Sequence, residues 1–141
     1  MNVKSPEGYH LSDQVGFNLR RANQRHVAIF ARHIGDLTPT QFAALARLYE
    51  YKALSQNRLG RLTAMDSATI KGVVERLRAR ELVDSRPDLN DQRLRLVELT
   101  KAGQALFEAM REHALAARAE TLSPLTAQEA RQFEILLAKL V

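Results

Sequence analysis

Apolar residues recur every three or four positions through most of this chain, which is the spacing of amphipathic helices. The first such run predicts one long helix over residues 11 to about 34, ended by Gly35. A second helix is predicted from the N-cap Thr38 to about Tyr51, with Pro39 in its first turn and Gln41 at the capping-box position. Each helix has one apolar face and therefore needs a surface to pack against.

Two shorter helices follow in close succession. Ser55 is a candidate N-cap for the third helix, and Asp66 is a candidate for the fourth. The fourth helix carries one apolar stripe, formed by Ile70, Val73, Val74 and Leu77. Two capped helices separated only by residues 63–65 predict a helix-turn-helix.

The pattern then changes to two short strand-like runs, 82–86 and 94–99, on either side of the polar segment 87–93. Such runs around a turn-rich segment predict a β-hairpin, here with a charged tip. Thr100 is a candidate N-cap for a long fifth helix, and Thr126 with Glu129 opens a sixth through a capping box. The whole pattern predicts a mainly α fold with a small β wing.

Composition and charge agree with a compact protein whose basic part is the hairpin and helix-turn-helix. A chain of 141 residues with 45% hydrophobic content is long enough for one domain, here residues 1–141. The net charge is +5, and basic residues outnumber acidic ones over residues 51–100 but only equal them over 101–141. No apolar run approaches the roughly 20 residues of a membrane span, and residues 1–10 lack signal-peptide features, which indicates a cytoplasmic protein.

The sequence lacks recognisable catalytic motifs, and its four histidines have no recognisable catalytic partners. It has no cysteine, no glycine-rich phosphate loop and no HExxH pair, so we predict that it is not an enzyme. His26 and His33 are candidate metal ligands, but seven positions span about 10 Å along a helix at about 1.5 Å per residue. That separation is too long for one ion unless His113 or a second subunit contributes, so we predict neither a metal nor a cofactor.

In order and content, these segments resemble the MarR family of winged helix-turn-helix transcription regulators over about residues 11–140. The wing is the most specific part, because the family pattern there is roughly Asp-x-Arg-Asp-x-Arg followed by Leu-Thr-x-x-Gly. The matching residues are Asp88, Asp91, Arg93, Leu99, Thr100 and Gly103, and the first arginine of the pattern is replaced by Asn90. The resemblance implies a homodimer on double-stranded operator DNA, with 11–34 and 101–141 as dimerisation helices and 36–100 as the winged helix-turn-helix.

The resemblance places the DNA contacts on the start of the third helix, the polar face of the fourth and the wing. The candidates are Ser55, Gln56, Asn57, Ser67, Ala68, Thr69, Lys71, Gly72, Arg76, Asp91, Arg93 and Arg95. Small or hydrogen-bonding side chains opposite a buried stripe suit close approach to base edges in the major groove. In the family, the aspartate before the wing arginine orients it toward the minor groove, which implies this role for Asp91 and Arg93. The alternative is a salt bridge confined to the wing.

Three positions of the fourth helix allow more than one interpretation. Many proteins that this chain resembles carry arginine at position 72, and glycine lowers helix stability by roughly 1 kcal/mol relative to alanine. Gly72 fits either a close approach of the backbone to DNA or a packing need. Arg76 and Arg78 are placed for phosphate contacts, which add affinity and salt dependence without reading sequence. The alternative is that they only solvate the helix and pair with nearby glutamates.

The family also often binds small aromatic acids between its dimer helices and the winged part, and releases DNA when occupied. Polar side chains beside an apolar seam suit a carboxylate. The candidates here are Asn18, Arg21, Arg25, His26, Phe30, His33 and Gln41. The alternative for His26 is a hydrogen-bonded histidine within an interface. Residues 13–17 and 24–26 are similar to regulators of nicotinate and other aromatic-acid breakdown.

The apolar stripe of the last helix is larger than a small winged core can cover. It consists of Phe133, Leu136, Leu137, Leu140 and Val141. Such a stripe either meets a partner or folds back on its own core, and the resemblance implies a dimer. We therefore predict a homodimeric repressor of a pseudo-palindromic operator, released by a small aromatic carboxylate. The alternatives are a winged-helix protein-interaction module, or a regulator with no small-molecule ligand.

Overall fold

The fold was analysed in a computed structural model that describes residues 8–141. A short 3-10 turn, Leu11–Asp13, precedes the first α-helix. The helices are α1 (Val15–His33), α2 (Pro39–Tyr51), α3 (Gln56–Leu62), α4 (Ser67–Ala79), α5 (Lys101–Leu122) and α6 (Ala127–Ala138). The strands are β1 (Ala53–Ser55), β2 (Val83–Pro87) and β3 (Arg95–Leu99). The predicted mainly α fold with a small β wing is confirmed.

The chain forms two compact units. The terminal unit contains the residues up to His33 together with Leu115–Val141, and the winged unit contains Ile34–Ala114. Helix α5 therefore contributes its first part to the winged unit and its last part to the terminal unit.

The predicted start of the first helix was wrong, because α1 begins at Val15 and not at Leu11. Residues 11–13 form the 3-10 turn, and Gln14 has an extended backbone with φ −84° and ψ 131° that separates the turn from α1. The Gln14 side chain donates to the His10 carbonyl at 3.0 Å, and the Asn18 side chain donates to the Ser12 carbonyl at 3.0 Å. These local side-chain hydrogen bonds satisfy backbone groups without a helix, which is how such residues compete with helical structure.

The predicted starts of α2, α3, α4 and α6 are confirmed. Thr38 with Gln41 and Thr126 with Glu129 form complete capping boxes, in which each side chain bonds to the other residue's backbone N–H. Ser55 and Asp66 each accept a hydrogen bond from the backbone N–H three residues later, Arg58 for α3 and Thr69 for α4.

The helix-turn-helix depends on a close approach between α3 and α4. A Cβ at Gly60 would lie only 3.1 Å from Ile70 Cγ2 and 3.2 Å from the Met65 carbonyl oxygen. The Met65 N–H donates to the Gly60 carbonyl at 2.9 Å, and Arg47 Nε donates to the Leu62 carbonyl at 2.8 Å. These bonds, with those from Thr63 to the Gly60 carbonyl, satisfy carbonyl groups at the end of α3.

The sheet has the strand order β1-β3-β2, and both pairings are antiparallel. Leu54 of β1 and Ser85 of β2 both lie opposite Val97 of the central strand. Leu54 and Val97 are each 2% exposed, so this small sheet contributes to the core of the winged unit. Strand β1 was not predicted, because three residues between two helices are too few to show a period.

The wing is attached to α5 by the residues of the Leu-Thr-x-x-Gly pattern. The Thr100 N–H donates to the Leu82 carbonyl at 3.1 Å, and the Thr100 hydroxyl donates to the Glu81 carbonyl at 2.7 Å. The Gly103 N–H donates back to the Thr100 hydroxyl at 3.0 Å. A Cβ at Gly103 would lie 2.0 Å from the Leu82 carbonyl oxygen, so only glycine fits this backbone contact.

Candidate nucleic-acid interface

The recognition helix α4 has one buried and one exposed face. Its apolar stripe is almost fully buried, with exposures of 1% for Ile70, 1% for Val73, 4% for Val74 and 0% for Leu77. The predicted DNA-reading side chains Ser67, Ala68, Thr69 and Lys71 are all exposed. Because α4 packs against α2 and α3 through the stripe, the exposed face is held on a rigid base.

The start of α4 is fixed by Asp66. Its Oδ1 accepts a hydrogen bond from the Thr69 N–H at 2.7 Å. Hydrogen bonding by the Thr69 side chain, and then by the Thr69 backbone, lowers the pKa of Asp66 below its ordinary value. The cap therefore remains ionised at neutral pH, and its negative charge suits the positive end of the helix dipole.

Arg76 folds back along the exposed face of α4 toward Gly72. A Cβ at Gly72 would lie 3.2 Å from Nη1 and 3.3 Å from Nη2 of Arg76. Gly72 therefore leaves the space that this guanidinium occupies. Arg80 instead donates to the Asp36 carbonyl at 2.6 Å. No ion pair within residues 8–141 includes Arg76, Arg78 or Arg80, so the alternative, pairing with neighbouring glutamates, is not found there.

The start of α3 presents a smaller polar surface. Ser55 and Gln56 are half-buried and Asn57 is exposed. The Ser55 hydroxyl accepts from the Arg58 N–H at 3.3 Å, and it keeps its own proton for a further acceptor. Arg58 lies over the Tyr51 ring, with 5.5 Å from Cζ to the ring centroid. These groups suit contacts with phosphate oxygens, which position a protein on DNA.

The wing tip is organised by its own aspartates. Asp91 Oδ1 accepts from the Arg93 N–H at 3.1 Å and from Arg93 Nε at 3.2 Å. Asp88 Oδ1 accepts from the Asn90 N–H at 2.8 Å. The Arg93 side chain is still 91% exposed, so its remaining N–H groups face solvent at the tip. Arg95 points elsewhere, because its guanidinium donates to the hydroxyl and carbonyl oxygens of Ser85, each at 3.2 Å.

In the terminal unit, three of the predicted ligand residues contact the end of α5. Arg25 donates to the Thr121 carbonyl at 2.7 Å and to the Glu120 carbonyl at 3.1 Å. His26 Nδ1 lies 2.8 Å from the Thr121 hydroxyl, and His33 Nε2 lies 3.4 Å from Glu120 Oε1. Sequence reasoning missed Glu120 and Thr121, since nothing in the local pattern shows which helix faces α1.

The other predicted ligand residues are dispersed. The Asn18 side chain donates to the Ser12 carbonyl in the turn before α1. Arg21 lies over the Phe17 ring, with 5.7 Å from its Cζ to the ring centroid. Phe30 is 6% exposed and its ring lies 6.2 Å from that of His26. Gln41 belongs to the winged unit, where it is buried and completes the capping box of α2.

A mostly apolar groove of about 340 Å³ lies within the terminal unit. Of the predicted ligand residues, only His26 lines it. The full lining is Leu19, Ala22, Asn23, His26, Thr121, Phe133 and Leu137. Over the described residues 8–141, no helix is long and apolar enough to cross a membrane, and no group of three or more His, Cys, Asp or Glu side chains is arranged to hold a metal ion.

Comparison with known proteins agrees with this arrangement. A model of the MarR family matches residues 37–94. The chain is 44% identical over 135 residues to the HTH-type transcriptional repressor NicR of Pseudomonas putida. The aligned region covers 94% of this chain and 85% of NicR.

Solved structures extend the likeness to the fold. A probable transcriptional regulator from Pseudomonas aeruginosa has a TM-score of 0.92 and 53% identity, over 94% of this chain and 100% of that one. BpsR of Bordetella bronchiseptica, described as regulated in DNA binding by 6-hydroxynicotinic acid, has a TM-score of 0.89 and 43% identity over 94% and 96% of the two chains. The predicted resemblance is confirmed, and the chain belongs to the MarR family of non-enzymatic, DNA-binding transcriptional regulators.

Proposed function

We propose that this protein is a homodimeric repressor that binds a pseudo-palindromic operator and leaves it when a small aromatic carboxylate binds. The observation that carries the DNA-binding part is the pairing of two exposed elements on one winged unit. One is the polar face of α4 over its buried stripe, and the other is Arg93 held by Asp91 at the wing tip. They suit the major groove and the adjacent minor groove, respectively.

The dimer is supported by the apolar surface of the terminal unit. Large side chains of α6 are exposed, including Ile135 at 63%, Leu136 at 52% and Leu140 at 69%. Apolar surface of this extent is typical of a protein interface. A two-fold axis through such an interface relates the two copies of α4, so each copy would contact one half of a pseudo-palindromic site.

The ligand is supported by the groove that His26 lines. Its volume of about 340 Å³ is in the range for a single-ring molecule, and its lining is mostly apolar. The Thr121 hydroxyl donates to the Ala117 carbonyl, so it accepts from Nδ1–H of His26, and Nε2 is the ring atom that remains. As an imidazolium, His26 has a second N–H at Nε2 to donate to a carboxylate. BpsR, which is 43% identical, is regulated by 6-hydroxynicotinic acid, a small aromatic acid.

The DNA-binding part is tested by a mobility shift on duplexes from the region flanking the gene. Arg93→Ala should weaken binding at least about tenfold, since it removes an exposed charge that enters the minor groove. Arg111→Ala, which removes an exposed arginine of α5 outside the wing and the helix-turn-helix, is the matched control and should leave affinity unchanged. Equal affinity for both variants would reject the wing assignment.

The ligand part is tested on the same duplex with nicotinate, 6-hydroxynicotinate and 4-hydroxybenzoate. We expect one of these acids to release the DNA. His26→Ala should keep the DNA affinity of the wild type, but the acid should no longer release the DNA. His33 pairs with Glu120 and does not line the groove, so the acid should still release DNA from His33→Ala. If no acid disturbs binding, the regulator has no such ligand. If the wild-type protein does not bind any of these duplexes, the protein-interaction alternative is favoured.

A further inference from the structure

Arg76 lies in the second half of the recognition helix, and its guanidinium lies beside Gly72 in the preceding turn. Helical side chains lean toward the N-terminus, so a long side chain covers the turn before its own Cα. The guanidinium of Arg76 follows this rule and lies over Gly72, where a Cβ would be 3.2 Å from Nη1, 3.3 Å from Nη2 and 3.5 Å from Cζ.

Gly72 leaves room for this position. A Cβ at 72 would lie 3.2 Å from Nη1 and 3.3 Å from Nη2 of Arg76, so the guanidinium would have to shift by a few tenths of an ångström from the place it holds over Gly72. Glycine also weakens a helix interior relative to alanine, so its presence in the middle of α4 needs a compensating role. Room for a neighbouring side chain is such a role.

The charge of Arg76 is not used elsewhere in the fold. The side chain is exposed, and the ion pairs found within residues 8–141 do not include it. Arg80, by contrast, is engaged by the Asp36 carbonyl. Arg76 therefore presents its N–H groups on the same surface as Ala68 and Lys71, which are exposed in the part of the helix that approaches base edges.

We propose that Arg76 reads a guanine in the major groove across the space left by Gly72, and that it determines sequence specificity instead of only contacting phosphate. The inference rests on the proposed DNA-binding function. A guanidinium that lies flat on the helix surface can donate two parallel hydrogen bonds to O6 and N7 of guanine.

The test is a binding-site selection from a randomised duplex library, because a base profile reports specificity independently of affinity. The wild-type protein should select a guanine at one fixed position in each half-site. Arg76→Ala should lose that preference, with a fall of about 10- to 100-fold in affinity for the selected site and little change for random DNA. Arg76→Gln should move the preference toward adenine, since an amide pairs with N6 and N7 of adenine.

Two further variants complete the experiment. Arg78→Ala is the matched control, since it removes a neighbouring exposed arginine and should keep the profile while reducing the salt dependence. Gly72→Ala should raise the melting temperature yet reduce the guanine preference several-fold, because its methyl displaces the guanidinium.

Three results would overturn the inference. In the first, Arg76→Ala and Arg76→Gln keep the wild-type profile and weaken binding to every sequence equally, which identifies a phosphate contact. In the second, Gly72→Ala keeps the full guanine preference. In the third, the wild-type protein selects no sequence at all, and that result would overturn the proposed function as well.

Discussion

Gly103→Ala should destabilise the protein through one defined contact. The added Cβ would lie 2.0 Å from the Leu82 carbonyl oxygen, whereas ordinary contacts begin near 3.4 Å. The start of α5 and the backbone at Leu82 must therefore move apart by roughly an ångström. This movement costs free energy, because it displaces backbone atoms in a closely packed region. The same shift stretches the two bonds that cross this contact, from the Thr100 N–H to the Leu82 carbonyl and from the Thr100 hydroxyl to the Glu81 carbonyl.

The size of the effect follows from these contacts. Overpacking of this kind costs about 1–3 kcal/mol, and each weakened hydrogen bond about 0.5–1.5 kcal/mol. Alanine recovers at most about 1 kcal/mol through its higher helix propensity. We therefore expect the free energy of unfolding to fall by about 1–5 kcal/mol.

Urea denaturation at fixed protein concentration measures this change, and fixed concentration matters because dimerisation would contribute to stability. Gly16→Ala is the matched control. Gly16 also lies in the first turn of a helix, but a Cβ there meets nothing within 4 Å, so this variant should be as stable as the wild type or slightly more so. A Gly103→Ala protein as stable as the Gly16→Ala protein would refute the account of the wing attachment.

Three other changes test separate parts of the molecule. Because hydrogen bonding by Thr69 lowers the pKa of Asp66 in the folded state, the carboxylate stabilises the fold above the ordinary aspartate pKa, and this contribution is lost as the pH falls through the folded value. The stability difference between wild type and Asp66→Asn, measured by urea denaturation, should therefore shrink below about pH 4, and a constant difference would contradict this. Asp91→Asn should weaken operator binding less than Arg93→Ala, by about two- to fivefold, because an amide oxygen can still accept from Arg93; mobility shifts compare the two, and equal losses would show that the Asp91 charge is indispensable. Leu136→Glu should raise the dimer dissociation constant at least about tenfold in sedimentation equilibrium, since it would bury a carboxylate, and unchanged dimerisation would place the interface elsewhere.

The parts of the fold that could be predicted from sequence are those fixed by nearby residues. The caps at Thr38, Ser55, Asp66 and Thr126 each act over three positions, so both partners are visible in one short window. The stripe of α4 is also local, because its period alone separates a buried from an exposed face.

The parts that could not be predicted depend on distant partners. Strand β1 forms only because β3 lies beside it, and the bond from Arg25 to Thr121 joins residues 96 positions apart. Gln41 was predicted both as a cap and as a ligand residue, and the structure uses its side chain for the cap. Gly72 remained ambiguous because the residue that fills its space, Arg76, can be identified only from side-chain geometry.

The wing tip has a consequence for how regulators of this kind can be altered. Asp88 and Asp91 each hold the backbone N–H two residues later, and the Asp88 N–H closes the tip on the Leu94 carbonyl. Hydrogen bonds within residues 88–94 therefore hold the conformation of this segment, and the tip is preorganised in the absence of DNA. We therefore expect that residues 88–94 can be exchanged between relatives as one segment. Such an exchange should change the DNA preference of the wing without changes in the core that supports it.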